Sequence, residues 1–339
     1  MLLENLRQAY LPPTTWPRPT LSEELCDGCE RCVKTCPMQI LELRDGIPAF
    51  TGRYDEFRCV LCDSCLAVCP KGAIKSVGVY RVHSGRYKNV DVFPSSETTY
   101  PRPFGDTTPE RFADCEERLT ETERVIFKRR SVRLFKKQQV PRELVERIIE
   151  AGRFAPSAGN NQPWKFTVVR DGALLQELCK KTEMIARPLA KLAFPNSGEE
   201  FERRPWRQRV FATAFSYRKP GEGDQRVAIG VKAVTEMPYH EVFLGAPTVI
   251  LVLCDKRGVG NVDLDTSLAV ENIVLAAHSL GLGTCIIGLL NIPLLFFPQT
   301  RRKLGIVHPF KLLTAISVGY PLGVCDRAVR REPARIDWL

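Results

Sequence analysis

The chain after residue 116 alternates between stretches with helical and with strand-like spacing of apolar residues. The stretch VPRELVERIIEAGRFAPS predicts an amphipathic helix, because its apolar residues recur near a spacing of three to four positions. These residues are Leu144, Val145, Ile148, Ile149 and Phe154. Pro141 fits the first turn of this helix and Pro156 marks its end.

Other stretches extend this alternation. ERLTETERVIFKRR and DTSLAVENIVLAAHSL predict helices, the second with Asp265 or Thr266 as its N-cap. KFTVVR, PTVILVLC and KLLTAISVGYP predict strands, because they are rich in β-branched and apolar residues. Helices alternating with strands indicate an α/β or α+β domain.

Residues 272–300 contain no Asp, Glu, Lys or Arg and are numerous enough to span a bilayer. However, His278, Gly281, Gly283 and Pro293 interrupt the run. We therefore expect a buried helix that ends near Leu280, then the short strand TCIIG, and no membrane partner.

The N-terminal part is organised differently. Prolines at 94, 101, 103 and 109, among Ser, Thr and Asp, make residues 81–115 a predicted linker or wrapping loop. We expect a leader over 1–20, a small domain over 21–80, and a larger domain over 116–339 with an insertion at about 181–240.

The small domain contains two cysteine runs, CDGCERCVKTCP and CVLCDSCLAVCP. Both have the spacing C-x2-C-x2-C-x3-C-P, in which the last cysteine of each run ligates the other of two [4Fe–4S] clusters. One cluster should be held by Cys26, Cys29, Cys32 and Cys69. The other should be held by Cys36, Cys59, Cys62 and Cys65.

Zinc and disulfides are the alternatives to these clusters. Structural zinc usually takes paired ligands from two separated knuckles, and disulfide frameworks are typical of small secreted proteins. Residues 21–80 also resemble a bacterial two-cluster ferredoxin, with PMQILELRDGIPAF and PKGAIKSVGVY as the short strands and turns of its two halves.

The composition of the chain indicates which partners and which cellular compartment to expect. The formal net charge of +10 favours anionic ligands or partners, but we expect no nucleic-acid partner, because neither helix-turn-helix nor zinc-finger spacing is present. The N-terminus does not read as a signal peptide, and five of the thirteen cysteines lie outside the runs, which favours a reducing, cytoplasmic compartment. Those five ordinary thiols are Cys115, Cys179, Cys254, Cys285 and Cys325.

The stretch RRSVRLF, residues 129–135, concentrates positive charge after a predicted helix. The planar guanidinium groups of Arg129, Arg130 and Arg133 and the hydroxyl of Ser131 can donate hydrogen bonds to a phosphate. Spacing alone also fits a solvated basic helix end. No G-x-G-x-x-G follows a strand and no Walker sequence is present, while GLG at 281–283 is weak by itself.

RRSVRLF followed by VPRELVERIIEAGRFAPSAGNNQPWKFTVVRD resembles the opening of the nitroreductase family of FMN flavoproteins. AAHSLGLGTCIIG resembles the segment of that family that contacts the flavin ring, and SVGYP resembles its last strand. These motifs run in order along about 116–333. The resemblance implies an α+β protein, with a nitroreductase-like FMN-binding α/β sandwich preceded by the ferredoxin-like domain, and a homodimer.

The resemblance also implies FMN contacts, residue by residue. Arg129, Ser131 and Arg133 would hold the phosphate and ribityl chain, with Arg331 as the last phosphate contact, or Arg330 in an alternative alignment. A loop would reach the flavin across the dimer interface with Pro156, Ser157, Ala158, Asn160 and Gln162. Ile287 and Gly288 would lie near N5 of the isoalloxazine, where a backbone N–H donates.

No side-chain acid, base or nucleophile stands out, because the cofactor of a flavoenzyme carries the chemistry. The histidines at 83, 240, 278 and 308 are scattered, and His278 fits a core position. The insertion contains FERRPWRQRVFATAFSYRKPGEGDQR. It predicts a solvated amphipathic helix and loop, a lid that selects an anionic or aromatic substrate with Arg204, Trp206 and Arg207, or, as a weaker third alternative, an RNA-binding patch.

The sequence therefore predicts an iron–sulfur flavoenzyme in which electrons pass from two [4Fe–4S] clusters to FMN and reduce an organic acceptor. Nitroaromatics, quinones and activated alkenes are the expected acceptors, and a ferredoxin or an NAD(P)H-linked protein is the expected donor. One alternative is outward flow from NAD(P)H-reduced flavin through the clusters. The other is an electron carrier or redox sensor without catalysis.

Overall fold

The computed structural model describes residues 14–55, 58–75, 80–82, 99–104, 109, 112–193, 225–236, 241–323, 328–331 and 333–339. The N-terminal elements are β1 (Thr14–Thr15), β2 (Thr20–Leu21), α1 (Arg31–Thr35), β3 (Leu41–Arg44), β4 (Ile47–Phe50), α2 (Ser64–Val68), β5 (Ile74–Lys75), β6 (Arg81–Val82) and α3 (Ala113–Glu116). The helices that follow are α4 (Glu121–Lys128), α5 (Arg142–Arg153), α6 (Gly172–Ala193), α7 (Gln225–Glu236), α8 (Val262–Ser279), α9 (Asn291–Leu294) and α10 (Pro298–Lys303). The strands among them are β7 (Trp164–Val169), β8 (Thr248–Asp255), β9 (Gly283–Ile287) and β10 (Phe310–Gly319).

The chain divides into two compact units. The first consists of Met1–Thr120, Arg187–Glu236 and Asp326–Leu339, and the second of Glu121–Ala186 and Met237–Cys325. The boundaries that the sequence predicts for the leader, the linker and the insertion remain predictions. The lid residues Arg204, Trp206 and Arg207, together with His83, His240 and Cys325, lie outside the described residues.

The first unit contains three antiparallel strand pairs around the cysteine runs: β1 with β6, β2 with β5, and β3 with β4. The β3–β4 hairpin turns at Asp45 and Gly46, whose φ angles are 51° and 80°. An Asp-Gly pair with positive φ at both residues is the turn that matches the twist of a two-residue hairpin. The sequence LRDGIP therefore encodes this hairpin locally.

The second unit is built on an antiparallel sheet with the strand order β7-β8-β10-β9. Strand β8 is central, and its residues from Val249 to Cys254 have no exposed surface. Helices α5 and α8 contribute to a core with β8 and β10 that contains Val145, Ile148, Ile250, Val252, Ile273, Val274, Ile316 and Val318. The apolar spacing seen in the sequence thus corresponds to the face that α5 buries.

The structure corrects the start of α8. Asn261 is its N-cap, because its Oδ1 accepts the backbone N–H of Leu264 at 3.1 Å. Asp265 and Thr266, the expected caps, lie inside the helix and are buried. Helix α8 ends at Ser279, before β9, in line with the expected helix–strand break near Leu280. Across the described residues, no helix has both the length and the apolar composition needed to cross a bilayer.

The contact between α5 and α8 is tight at Gly152. A Cβ at this position would lie 2.6 Å from Ile273 Cγ1 and 3.2 Å from the carbonyl oxygen of Ala269. The first neighbour is a side chain that can shift, but the second is backbone. Overpacking of such a site typically costs about 1–3 kcal/mol.

We expect Gly152→Ala to lower the free energy of unfolding by about 1–3 kcal/mol, measured by chemical denaturation of the full-length protein. Gly172→Ala is the matched control, because Gly172 begins α6 and nothing lies within 4 Å of an added Cβ there. The packing interpretation is wrong if the two variants unfold at the same denaturant concentration.

Candidate cofactor sites

The two cysteine runs fold alike. Helix α1 follows Glu30 and helix α2 follows Asp63, which have left-handed φ angles of 58° and 52°. Each helix ends at the fourth cysteine of its run, Cys36 or Cys69, which is its C-cap. The chain therefore turns sharply between the first three cysteines of each run and carries the fourth to the far end of a short helix.

Thiols from different runs lie close together in the first unit. Burial, with smaller contributions from the nearby Cys69 and Cys26 thiols, raises the pKa of the Cys32 thiol to about 11. Burial likewise raises the pKa of Cys36 to about 11, with the nearby Cys62 thiol raising it too. Cys69 thus neighbours the first run, and Cys36 neighbours the second, as ligand crossing requires.

Burial is the main influence on the pKa of three thiols of the second ligand set. Burial, with smaller contributions from the nearby Cys62 and Cys36 thiols, raises the pKa of Cys59 to about 12. The pKa of Cys65 is raised well above its usual value by burial and by Cys62, Cys36 and Cys59. The Cys36, Cys59, Cys62 and Cys65 thiols line one cavity.

Backbone amides support the thiols that follow the helices. The N–H of Ala73 donates to Cys69 Sγ at 3.2 Å, and backbone N–H groups, that of Ile40 foremost, lower the pKa of Cys36 against its burial. Hydrogen bonds to sulfur favour thiolates and tune bound clusters. The twelve cysteines in the described ranges are free thiols.

Soft thiolate donors in fours fit iron–sulfur clusters. Within the described ranges, no three His, Cys, Asp or Glu side chains are grouped to hold a single metal ion. A cubane takes one thiolate at each of four irons, so its ligands stand farther apart than those of one ion. The donor sets therefore fit the predicted clusters, and the assignment of each ligand stays a prediction.

In the second unit, the RRSVR segment lies along the edge strand β9. Ser131 forms a parallel bridge with Thr284, and the N–H of Val132 donates to the Thr284 carbonyl at 2.8 Å. The approach is close, because a Cβ on Gly283 would lie 2.8 Å from Val132 Cβ. The segment is thus part of the domain and not a solvated helix end.

This contact places the predicted phosphate residues together. Burial raises the pKa of the Cys285 thiol, and the positive charges of Arg133 and Arg129 oppose that rise. Both guanidinium groups therefore lie near β9. Arg129 Nε is 3.7 Å from Glu271 Oε1, and Arg133 donates to the Ser131 carbonyl at 3.4 Å. Arg130, in contrast, is buried.

Ile287 and Gly288, the residues predicted near the flavin ring, lie at the other end of β9. Ile287 pairs with Ala315, and its carbonyl accepts the Thr314 hydroxyl at 3.2 Å. Ile287 lies three residue steps beyond Thr284 along the strand, or roughly 10 Å at about 3.3 Å per step. The two arginines and the residues predicted to lie near the ring are thus placed toward opposite ends of β9.

The predicted flavin-reaching loop follows α5. Pro156, Asn160 and Gln162 are exposed, and Ser157 and Ala158 are half-buried. Ser157 Oγ accepts the N–H of Gln162 at 3.0 Å, and the Gln162 side chain donates to the Asn160 carbonyl at 3.3 Å. The loop is therefore ordered by its own side chains while its tip stays accessible.

Arg331 belongs to the first unit, where its backbone pairs with that of Thr99 through N–H···O contacts of 2.9 and 2.8 Å. Its neighbour Arg330 lies over the Tyr100 ring at 5.1 Å. Both arginines are exposed, and their role at a phosphate stays a prediction.

Two acidic residues of α8 were not identified as site residues in the sequence. Glu271 faces Arg129, and the buried Asp265 Oδ2 accepts the N–H of Ala158 at 3.1 Å. The signal available in the sequence was their occurrence inside the otherwise apolar stretch DTSLAVENIVLAAHSL. The buried Asp265 carboxylate needs a partner, because an unpaired buried charge is costly.

Comparison with known proteins gives two family matches. The model of the nitroreductase family matches residues 126–320, and that of a 4Fe–4S dicluster domain matches residues 25–73. The two ranges confirm both resemblances found in the sequence and the α+β fold class, and the cofactor expectation is in line with them.

Individual relatives cover the larger domain. A 4-nitrobenzoate reductase of Nocardioides is 28% identical over 62% of this chain and 85% of its own length. The nitroreductase NfnB of Mycolicibacterium smegmatis is 28% identical over 58% of this chain and 82% of its own. The solved structure of an FMN-bound Desulfitobacterium hafniense nitroreductase is 21% identical and covers 65% of this chain and 99% of its own, with a TM-score of 0.48.

The crossing of ligands can be tested with two double variants. Cys36→Ser with Cys59→Ser should damage one cluster and leave about four of about eight irons, whereas Cys36→Ser with Cys26→Ser should damage both. Iron and sulfide are measured after anaerobic reconstitution, with Cys115→Ser, outside the runs, as the control. The reverse order of iron loss would contradict the crossing, and stoichiometric zinc would contradict the clusters.

Proposed function

The chain belongs to the nitroreductase family, and we propose that it is an iron–sulfur flavoenzyme whose two [4Fe–4S] clusters deliver electrons through FMN to an organic acceptor. The observation that carries the proposal is the presence, in one chain, of two complete thiol sets and of an arginine–serine segment fitted to a phosphate. Nitroaromatics, quinones and activated alkenes are the acceptor classes.

The cofactors would supply the electron chemistry: FMN takes up electrons singly or in pairs, and so can join one-electron donors to a two-electron reduction. The protein holds and orients them. Arg129, Arg133 and the Ser131 hydroxyl would bind the phosphate through charge-assisted hydrogen bonds. Ile287 and Gly288, at the other end of β9, would face the ring. The chain's own residues thus account for binding without a side-chain acid.

We propose a homodimer in which loop 156–162 of one protomer reaches the flavin of the other. Apolar side chains near this loop support it: Phe154 is 71% exposed, and Leu264 and Leu268 on α8 are 55% and 38% exposed. Leu264 and Leu268 are four residues apart and share one helix face. Large exposed apolar side chains on one domain are typical of a surface that a partner covers.

Two rival functions predict different electron flow. In the first, NAD(P)H reduces the flavin and electrons leave through the clusters. In the second, the protein is an electron carrier or redox sensor that reduces no substrate. The four described cysteines outside the runs form no disulfide, which fits a reducing compartment such as the cytoplasm, where a low-potential donor is available.

Arg129→Ala should raise the dissociation constant of FMN by about 10- to 100-fold, because a charge-assisted hydrogen bond contributes about 1.5–3 kcal/mol. Equilibrium dialysis of the full-length protein measures the constant. Arg142→Ala is the matched control, since Arg142 is exposed on α5 and pairs with Glu146 at 2.6 Å.

An unchanged FMN constant in the Arg129 variant would remove this residue from the site. Sedimentation of the same wild-type preparation checks the dimer. A monomer that retains one FMN per chain would contradict the proposed exchange of loops between protomers.

The direction of flow is tested with Cys62→Ser in the full-length chain. The variant should lose flavin reduction by a low-potential protein donor and keep reduction by dithionite, while the Cys115→Ser control keeps both. Inward flow is downhill if the reduction potential of the flavin is more positive than that of the clusters. Plant-type ferredoxins have a reduction potential of roughly −400 mV. For one electron, each difference of about 59 mV favours the transfer about tenfold.

Rapid mixing with the protein donor and then with NADH distinguishes the rivals. Cluster bleaching before flavin bleaching supports inward flow. Flavin reduced first by NADH, with the clusters following, establishes outward flow. A protein reduced by either donor that turns over none of the three acceptor classes is a carrier or sensor.

A further inference from the structure

The loop between Ser157 and Gln162 has an unusual backbone. Gly159, Asn160 and Gln162 have left-handed φ angles of 56°, 54° and 48°. Residues other than glycine adopt this region rarely and at a cost, so the surrounding structure must hold them there. The hydrogen bonds from Gln162 to Ser157 and Asn160 connect the loop only to itself.

Helix α8 connects this loop to the domain through Asp265. Asp265 Oδ2 accepts the N–H of Ala158 at 3.1 Å, across 107 positions of sequence. Asp265 is only 7% exposed. It lies near the start of α8, four residues after the N-cap Asn261. The positive end of the helix dipole favours a carboxylate there, and an ionised acceptor strengthens the bond to the amide.

The turn before α8 packs closely against the same loop. A Cβ on Gly260, whose φ is 70°, would lie 2.9 Å from Ala158 Cβ. A Cβ on Gly258 would lie 2.1 Å from Asn161 Nδ2. Two glycines and one carboxylate, all close to the start of α8, therefore set the position of the loop.

We infer that Asp265 is a positioning residue that holds loop 156–162 in the geometry needed at the flavin. The inference rests on the proposed function, because the loop matters to FMN only if the protein binds it. Asp265 acts through its hydrogen bond from the Ala158 amide. Without it, the left-handed residues lose the fixed point from which the loop is presented.

The first test does not depend on flavin. Amide hydrogen exchange of the loop is measured in the full-length wild type, Asp265→Ala and Asp265→Asn. Asp263→Asn is the control, because Asp263 lies in the same first turn but is exposed and pairs with Lys256. Exchange at Ala158 should rise about tenfold or more in Asp265→Ala, and less in Asp265→Asn, whose amide oxygen still accepts.

The second test measures FMN binding and turnover in the same proteins. Asp265→Ala should raise the FMN dissociation constant about tenfold and lower kcat/KM, with a thermal midpoint close to that of Asp263→Asn. Asp265→Asn should restore most of both values. This rescue separates loop positioning from a general loss of stability.

Three outcomes overturn the inference. The first is loop exchange in Asp265→Ala that equals the control. The second is faster exchange with unchanged FMN binding and turnover, which would leave Asp265 without influence on the site. The third is a pair of results: Asp265→Ala fails to fold, and Asp265→Asn is identical to the control in every measurement. A wild type that binds no FMN would instead refute the proposed function, while exchange would still report whether Asp265 holds the loop.

Discussion

The candidate flavin site depends on the close approach of the RRSVR segment to strand β9. The approach exists because residue 283 has no side chain: a Cβ there would lie within 2.9 Å of three Val132 atoms. Ser131 and Val132 can then bond to Thr284 as an added strand at the edge of the sheet. This contact covers an otherwise free edge and places Arg129 and Arg133 beside it.

A similar constraint acts on the cysteine runs, where backbone conformation brings the thiols together. Gly28 and Leu61 occupy equivalent positions in the two runs, with left-handed φ angles of 68° and 54°. In the first run glycine is required, because φ is positive and an added Cβ would lie 3.0 Å from the Gly46 carbonyl oxygen. In the second run leucine takes the same conformation at a steric cost, which the packing around the thiols must offset.

The sequence predicted those features that are encoded locally. The spacing of apolar residues identified α5, β8 and β10. Cysteine spacing indicated two ligand sets, in which Cys32 lies near Cys26 and Cys69, and Cys59 lies near Cys62 and Cys36. Features that depend on distant contacts were missed. Asp265 was expected to cap α8, but Asn261 does so, which leaves the carboxylate free to bond an amide 107 positions away. No local pattern encodes such a pairing.

The two ligand sets differ in their exposure to solvent. Cys29 of the first set is exposed, whereas Cys59, Cys62 and Cys65 of the second set are partly buried and line a partly open cavity together with the buried Cys36. A low-dielectric surrounding disfavours added charge, and solvent exposure is one of the factors that set the potential of a cluster. Two clusters held in these surroundings would therefore differ in potential although their ligands are the same. This asymmetry comes from the packing of the thiols, because their spacing in the sequence is the same in both runs.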